Sequence, residues 1–339
     1  MLDRPTVVIA GASAGVGRAA AEAFARRGAA ICLIGRQPEA LEATAAEVRR
    51  LGGAALPLPL DMSDGRAVFA AAERVERELG PIDIWVNSAM VTVFAPAWEV
   101  EPEELRWVTE VTYLGSAHGV LAALKYMRSR NRGTIIQVGS ALAYRGIPLQ
   151  AGYCAAKFAI RGFLDSVRSD LEHERSAIRI CMVELPAVNT PQFEWARART
   201  RGRPRPVAPV YQPEAIAAAL VAAADHPARE YWLGWSTLKT IFGAQLVPQF
   251  LDRYLARHVV EGQQSQEPVS PDRTDNLYTP APSSLHRTRG RFDDEARPEI
   301  TMLDPGLARC LAIGGGLALA AGAGAMAARM SSRRRRLRR

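Results

Sequence analysis

The amino-acid sequence predicts a doubly wound α/β fold with a mainly parallel seven-stranded sheet and a C-terminal helical and disordered extension. Short apolar runs rich in β-branched residues alternate with Ala-rich segments of helical period, a pattern typical of βαβ units. A glycine-rich turn stands between the first run and the first helical segment. The chain has 339 residues, 48% of them apolar, which suits one large α/β domain with appendages or two domains.

Seven apolar runs are the predicted strands. They lie at residues 6–10, 30–35, 55–60, 83–87, 134–138, 178–185 and 230–234. The segments between them are expected to be helices, because apolar residues recur there with a helical period. Together these elements predict one domain over residues 1–235.

Three further regions follow this domain. Residues 236–258 carry an amphipathic stripe that Pro248 interrupts, which predicts one or two helices. Residues 259–305 are polar and Pro-rich and are interpreted as an extended or disordered linker. Residues 306–339 combine an apolar Ala/Gly-rich segment with an Arg-rich tail.

The net charge of +8 is concentrated at the C-terminus. Six arginines lie in the last seven residues, so the rest of the chain carries only +2, and no nucleic-acid partner is expected. The first residues show no basic region followed by a long apolar run, so we expect a cytoplasmic catalytic domain. Four cysteines lie far apart, which predicts small buried residues rather than a disulfide framework or a metal site.

Residues 310–328 contain no charge and have the length of a membrane span. As a helix they would extend roughly 28 Å. However, 13 of the 19 residues are Ala or Gly, so their transfer to lipid gains little. The segment is predicted either to cross a membrane or to lie at its surface with the terminal arginines on anionic lipid. A disordered tail or a nucleic-acid contact are the alternatives.

The glycine-rich turn reads GASAGVG, with Gly11, Gly15 and Gly17, and follows the first predicted strand directly. Glycines here permit a tight turn and let backbone N–H groups approach a pyrophosphate, which the positive end of the next helix also favours. A plain strand-to-helix connection would look similar. The position between first strand and first helix nevertheless favours nucleotide binding.

The end of the second strand reads LIGRQ and should meet the adenosine ribose of a bound dinucleotide. Arg36 offers a guanidinium suited to a 2′-phosphate, which favours NADP(H) over NAD(H). The alternative interpretation is a solvated surface arginine. Asp61, after the third strand, is a candidate for contact with adenine or for a helix cap.

Tyr153 and Lys157 stand four residues apart in YCAAK, so they share one face of a predicted helix. A free phenol has a pKa of about 10, and a nearby ammonium favours the phenolate. Tyr153 is therefore a candidate acid–base group, with Lys157 lowering its pKa. Ser140, at the end of the fifth strand, could hold the substrate oxygen. An isolated pair is more often a packed ring and a surface lysine, but its combination with Ser140 and the turn favours a functional site.

The glycine-rich turn, the strand-end Ser140 and the Tyr-x-x-x-Lys pair resemble the short-chain dehydrogenases/reductases over residues 5–234. The resemblance implies a Rossmann-like fold and a catalytic Ser140, Tyr153 and Lys157. In it, Tyr153 is the general acid in reduction and the general base in oxidation, and Lys157 also binds the nicotinamide ribose.

The resemblance also implies the set of cofactor-binding residues. Pro186 to Val188 would pass beside the nicotinamide, Thr190 would contact its amide, and Asn87 would support the adenosine side and the sheet. The predicted set is Gly11, Ser13, Gly15, Val16, Gly17, Arg36, Asp61, Asn87, Ala89, Tyr153, Lys157, Pro186, Val188 and Thr190.

The sequence departs from the family pattern at several positions. Ala10 and Ala187 replace the usual Thr and Gly without touching the chemistry. Thr112 stands where the family usually has an Asn that supports a proton relay to the lysine. It is predicted to be a catalytic residue if its backbone carbonyl holds a water.

These observations predict an NADP(H)-dependent oxidoreductase that acts on a carbonyl or secondary alcohol, with an apolar substrate, a homo-oligomeric state and membrane association. A catalytically weak nucleotide-sensing or scaffold protein of the same fold is the alternative, favoured by Thr112. Five arginines between residues 197 and 205 lie where the family usually has a mobile substrate lid. They are interpreted either as a site that attracts anions or as a solvated loop.

Overall fold

The seven predicted strands form one sheet in the computed structural model, which describes residues 4–270 and 272–306. The strands are β1 (Thr6–Ala10), β2 (Ala30–Gly35), β3 (Ala54–Pro59), β4 (Ile82–Asn87), β5 (Thr134–Val138), β6 (Arg179–Glu184) and β7 (Glu230–Leu233). Their order is β3-β2-β1-β4-β5-β6-β7, and each neighbouring pair is parallel. The strand order reverses between β1 and β4, where a parallel sheet opens a crevice. The predicted fold class is confirmed.

Helices cover both faces of this sheet. They are α1 (Gly15–Ala25), α2 (Pro38–Arg50), α3 (Gly65–Glu78), α4 (Pro102–Val108), α5 (Gly115–Arg130), α6 (Ala151–His173), α7 (Gln192–Trp195), α8 (Pro213–Asp225), α9 (Gly234–Leu246) and α10 (Pro248–Gly262). A π-helical segment, Thr109–Leu114, joins α4 to α5. Short 3₁₀ turns lie at Ala97–Glu99, Ala141–Ala143 and Ser283–Leu285.

Side-chain alternation along the strands creates two apolar layers. In β1, Val7 and Ile9 pack with α1, α2 and α8, whereas Val8 and Ala10 pack with α3, α5 and α6. All four side chains are fully buried. A strand covered on both faces is apolar at every position rather than at every second one, which explains the continuous run in the sequence.

The amphipathic region after the sheet forms two helices, α9 and α10. The break falls at Val247, whose backbone is not helical, and Pro248 begins α10. Proline is favoured in the first turn of a helix and disfavoured inside one, so it separates the two segments. Large apolar side chains stay exposed on this hairpin, among them Trp235, Leu246 and Phe250.

The Pro-rich region differs from the expected linker because it packs against the body. Gln264–Pro268 pairs antiparallel with Gly202–Pro204. Ala296–Arg297 pairs in parallel with Val210–Tyr211. Residues up to Met302 therefore belong to one compact unit, and a second unit begins at residue 303, of which residues 303–306 are described.

A few apolar side chains anchor this region. Leu277, Ala281 and Phe292 are at most 6% exposed, although polar residues surround them in the sequence. Burial of one Leu or Phe side chain contributes about 1.5–3 kcal/mol. The average composition of the region hides these anchors, which is why it resembles a disordered linker.

Carboxylates hold four of the five arginines of the arginine-rich loop, and Arg201 is exposed. Arg197 and Arg199 donate to the buried Glu104 of α4, at 3.0 and 2.6 Å. Arg197 also pairs with Asp275 at 2.8 Å. Further along the loop, two more pairs are Arg203 with Glu267 and Arg205 with Glu295.

Ionised Glu104 ties the loop to α4. Burial opposes its ionisation, but hydrogen bonds from Arg199, the Glu101 backbone and Arg197 outweigh burial and lower the Glu104 pKa to about 2. The loop should therefore stay closed on α4 throughout the neutral range.

The predicted membrane segment, residues 310–328, and the terminal arginines lie outside the described residues. None of the helices within the described ranges combines the length and the hydropathy of a bilayer span. Three cysteines in this part of the chain, Cys32, Cys154 and Cys181, are buried and free, as predicted for small core residues.

Replacement of Glu104 by Gln should lower the free energy of unfolding by about 2 kcal/mol at pH 7, because two arginines lose a charged acceptor. The folded-state pKa lies below the ordinary value, so the wild-type advantage is present above pH 4.5 and is lost as the pH falls towards 2. Urea denaturation at several pH values measures this difference. The exposed neighbour Glu103→Gln is the control, and equal stability of Glu104→Gln and wild type at pH 7 would contradict the assignment.

Candidate functional site

The carboxyl ends of β1, β2, β4, β5 and β6 open into one cleft. Most residues of the predicted site line it: Gly11, Ser13, Gly15, Val16, Arg36, Asp61, Ala89, Ser140, Tyr153, Lys157, Pro186, Val188 and Thr190. Gly17, Asn87 and Thr112 lie behind the wall of this cleft rather than on it.

The glycine-rich turn requires glycine for steric reasons. A Cβ at Gly17 would lie 2.1 Å from the Gly11 oxygen, and one at Gly11 would lie 2.7 Å from the Ala89 nitrogen. Gly11 and Gly15 also have φ of 86° and 56°, which favour glycine. Ala14, the N-cap of α1, provides no side-chain acceptor, and the Gly15 N–H at this end of the helix donates to the Arg287 carbonyl at 3.0 Å.

These features fit the pyrophosphate of a dinucleotide. The turn leaves a cradle between Gly15 and Thr190, where a Cβ on Gly15 would lie 3.1 Å from the Thr190 side chain. N–H groups and the positive helix end line this cradle, and both favour a phosphate. The residues present therefore suit the nicotinamide dinucleotide that the turn predicts.

Arg36 lies at the adenosine end of the cleft, with its guanidinium 3.7 Å from the Asp61 carboxylate. Its N–H groups donate to the carbonyl oxygens of Asn276, Leu277 and Tyr278, at 2.5, 3.2 and 3.3 Å. The Pro-rich region thus reaches the residue predicted to select the cofactor.

Asn87 supports the sheet behind the cleft. Its side chain accepts from the Trp85 indole at 2.8 Å and donates to the Ser116 carbonyl at 3.1 Å. Gly119 makes room for it, because a Cβ there would lie 2.3 Å from Asn87 Oδ1. Asn87 therefore joins β4 to α5, which is the sheet role predicted for it.

Ser140, Tyr153 and Lys157 meet where β5 ends. Ser140 caps the short turn after β5, and its hydroxyl accepts from the Leu142 N–H at 3.1 Å. Lys157 on α6 donates to the Val138 carbonyl at 2.8 Å. Its Nζ lies 5.5 Å from the centre of the Tyr153 ring. The one-face geometry that the Tyr-x-x-x-Lys spacing predicts is present.

Burial dominates the proton affinities of this pair. It raises the pKa of Tyr153 far above the ordinary value, and a hydrogen bond with Ser140 opposes the rise. Burial also lowers the pKa of Lys157 to about 8, against the attraction of Glu184. The expected lowering of the phenol pKa by Lys157 is thus absent from the protein alone, because desolvation exceeds it.

Glu184 is a site residue that the sequence interpretation missed. It ends β6, is fully buried, and accepts a hydrogen bond from the Ser140 N–H at 2.5 Å. A Cβ on Gly139 would lie 2.3 Å from its Oε2, so Gly139 is the residue that lets the carboxylate approach. The available signal was a charged residue inside the apolar run IRICMVEL.

The environment of Glu184 raises its pKa to about 8. Burial is the main cause and the nearby Glu230 adds to it, while the Ser140 N–H, Lys157 and Arg161 oppose the rise. The other oxygen, Oε1, is buried and has no hydrogen-bond partner within the part of the chain that the structure describes. A carboxyl group that changes protonation near neutral pH thus adjoins the backbone of Ser140.

Thr112 is bonded to the loop after β4 and to α5. Its hydroxyl donates to the Val91 carbonyl at 3.0 Å and accepts from the Val91 N–H at 3.1 Å. Its own carbonyl, which was expected to hold a water, accepts from the Ser116 hydroxyl at 2.9 Å. The Thr112 side chain thus ties the π-helical segment to the loop after β4, and the catalytic role of its carbonyl stays a prediction.

The wall opposite the glycine-rich turn is mainly apolar. Its residues come from the segments that follow β4, β5 and β6 and from α10, and they include Val91, Val111, Ile147, Phe193, Trp195, Val207, Leu255 and Val259. These side chains surround the space next to Ser140 and Tyr153, so this end of the cleft favours an apolar molecule.

Comparison with known proteins gives one consistent result. The sequence profile described as short chain dehydrogenase matches residues 5–200. The uncharacterized oxidoreductase YxnA of Bacillus subtilis (strain 168) is 31% identical over 279 residues, covering 82% of this chain and 78% of that protein. Estradiol 17-beta-dehydrogenase 11 of Mus musculus is 33% identical over 165 residues, 49% of this chain and 55% of its own length.

A solved structure shows the same fold. The alcohol dehydrogenase from the archaeon Thermococcus sibiricus, complexed with 5-hydroxy-NADP, superposes with a TM-score of 0.57 at 25% identity. The match covers 68% of this chain and 95% of the archaeal one.

Replacement of Glu184 by Gln should change the pH dependence of stability. The folded-state pKa of about 8 lies above the ordinary 4.5, so wild type loses stability as the pH rises through this interval. Gln keeps an acceptor for the Ser140 N–H and does not titrate. The free energy of unfolding of Glu184→Gln should therefore rise relative to that of wild type by on the order of 1–2 kcal/mol from pH 5 to pH 8.

Thermal and urea unfolding at both pH values measure this gain. Glu73→Gln, on the exposed side of α3, is the matched control and should parallel wild type. A pH dependence identical to that of wild type would rule out a titrating Glu184.

Proposed function

Because the chain belongs to the short-chain dehydrogenase family and is an NAD(P)-dependent oxidoreductase, we propose that it moves hydride between NADP(H) and a carbonyl or secondary alcohol of an apolar substrate. The observation that carries this proposal is the group of Ser140, Tyr153 and Lys157 beside the glycine-rich turn. The glycine-rich turn that would hold the nucleotide and the proton donor Tyr153 line the same cleft, as hydride transfer requires.

The glycine-rich turn, Arg36 and Lys157 would hold the dinucleotide, which when bound would supply the hydride for reduction of a carbonyl carbon. Ser140 Oγ donates a hydrogen bond to the substrate oxygen, and the Tyr153 hydroxyl gives that oxygen its proton. The raised pKa keeps Tyr153 protonated at neutral pH, which suits a proton donor. Lys157, held by the Val138 carbonyl, places a positive charge behind the phenol and favours the phenolate that remains.

The wall next to Tyr153 supports an apolar substrate. Phe193 and Trp195, both at most 7% exposed, come from α7, and Leu255 and Val259 come from α10. Contact with such side chains removes apolar substrate surface from water, which stabilises the bound substrate by about 25 cal/mol per Å² of buried surface. Arg197 and Arg199 pair with Glu104, and Arg205, the arginine of this loop that lines the cleft, pairs with Glu295.

Tyr153→Phe should reduce kcat/KM for ketone reduction about 100-fold or more, because the proton donor is removed while the ring remains. NADPH binding should change little. Turnover of a panel of apolar ketones and aldehydes, followed through NADPH absorbance, tests this. Tyr126→Phe on α5 is the control, and full activity of Tyr153→Phe would exclude the assigned role.

Arg36 supports the preference for NADP(H), because a guanidinium binds a phosphate with two charge-assisted hydrogen bonds. Arg36→Ala should weaken NADPH binding about tenfold and leave NADH binding nearly unchanged. Fluorescence titration with both dinucleotides measures the two constants. Arg179→Ala, at the amino end of β6, is the control. Equal weakening of NADPH and NADH binding would show that Arg36 does not bind the 2′-phosphate.

A second candidate is a nucleotide-sensing or scaffold protein with weak turnover. Thr112 favours it, because it stands where the family usually has an Asn and its hydroxyl is bonded to the Val91 backbone. Tight NADPH binding without oxidation across the whole substrate panel would support this candidate over the enzyme.

Membrane association and a homo-oligomeric state stay predictions. The exposed apolar side chains of α9 and α10 support a surface contact of one of these kinds. Flotation with anionic vesicles and sedimentation analysis distinguish the two.

A further inference from the structure

Residues 276–287, called the strap here, cross the phosphate-binding end of the cleft. Three consecutive carbonyls, of Asn276, Leu277 and Tyr278, accept from Arg36. At the other end of the strap, the Arg287 carbonyl accepts from the Gly15 N–H at 3.0 Å. The strap thus uses the donors that the phosphates of a dinucleotide would also use.

The strap is anchored on both sides by groups outside the phosphate site. The Trp107 indole donates to the Leu277 carbonyl at 2.6 Å, and the Leu277 side chain is fully buried. On the far side, the Thr288 hydroxyl donates to Glu22 at 3.1 Å, and the Gly290 N–H donates to the Asn189 carbonyl at 3.1 Å. Release of residues 276–278 from Arg36 therefore also costs the Trp107 hydrogen bond, while the far end at Thr288 and Gly290 can stay bound.

The middle of the strap is exposed at its turn and held at His286, whose carbonyl accepts from Arg18 at 3.1 Å and whose ring lies 4.9 Å from that of Trp195. Residues 282–284 are exposed, and Ala281 is the buried residue of this stretch. The Gln37 amide reaches the Ala281 carbonyl only at 3.4 Å.

The two cofactors would compete differently for Arg36. A backbone carbonyl is a neutral acceptor, whereas a phosphate forms charge-assisted hydrogen bonds about twice as strong and matches the planar guanidinium with two oxygens. A 2′-hydroxyl is neutral and offers no such gain over a carbonyl. The 2′-phosphate can therefore displace the strap from Arg36, and the hydroxyl cannot.

We propose that residues 276–278 determine cofactor specificity, because the strap gives up Arg36 to the 2′-phosphate of NADP(H) and keeps it in the presence of NAD(H). The inference rests on the proposed dinucleotide-dependent function. It places the selecting element in a region beyond the matched family profile, which ends at residue 200. Arg36 and the strap then act as one unit in the choice between the cofactors.

Amide hydrogen exchange of the full chain tests the release of the strap. Peptides over residues 276–278 should exchange several-fold faster with saturating NADP⁺ than without cofactor, because the Asn276 N–H leaves the Trp195 carbonyl, now 2.9 Å away. With saturating NAD⁺ they should exchange as in the free protein. Slower exchange with NADP⁺, or the same change with both cofactors, would overturn the proposal.

A variant tests the competition itself. Trp107→Phe removes the indole donor to the Leu277 carbonyl and keeps an aromatic ring against Tyr278. It should tighten NADPH binding about threefold to fivefold and leave NADH binding unchanged. Trp98→Phe, at a side chain that is 87% exposed, is the matched control.

Weaker NADPH binding by Trp107→Phe, or an equal effect on both cofactors, would show that the strap does not compete with the 2′-phosphate. Absence of any dinucleotide binding by wild type would instead overturn the proposed function. The two failures are thus distinguishable.

Discussion

Parallel pairing of all seven strands is the constraint on which the rest of the structure depends. It sends every strand end to the same edge of the sheet, so residues that are far apart in the sequence meet there. Gly11 follows β1, Arg36 follows β2, Ser140 follows β5 and Thr190 follows β6. The site needs no special long-range contact to assemble, because the topology already brings these residues together.

Desolvation sets the chemistry of the assembled site. Burial favours the neutral form of Tyr153, Lys157 and Glu184. It therefore raises the pKa of Tyr153 and of Glu184 and lowers the pKa of Lys157. A buried lysine and a buried glutamate with pKa values both near 8 share a narrow range in which their charges change together. Small rearrangements at this site therefore alter several protonation states at once.

Much of the fold and part of the site could be predicted from the sequence. The strand segments, the glycine-rich turn and the Ser140, Tyr153 and Lys157 group each depend on local spacing, and local spacing is visible in one sequence. The contacts of Arg36 with residues 276–278 and the pairing of Arg197 with Glu104 join segments separated by long stretches of chain. No local pattern reveals such partners.

Average tendencies miss individual contacts. The family pattern gives no sign that the Thr112 hydroxyl bonds to the Val91 backbone. The Pro-rich region was judged by its average polarity, but single side chains such as Leu277 and Phe292 hold it on the body. In both cases a few contacts outweighed the average tendency.

The three-stranded sheet of Ala187–Val188, Val210–Tyr211 and Ala296–Arg297 has a consequence for biosynthesis. Its third strand is translated about a hundred residues after the first, since chains grow from the N-terminus. A ribosome-bound chain can therefore complete the central sheet while its dinucleotide groove is still uncovered. The covering layer is the last part of this unit to fold.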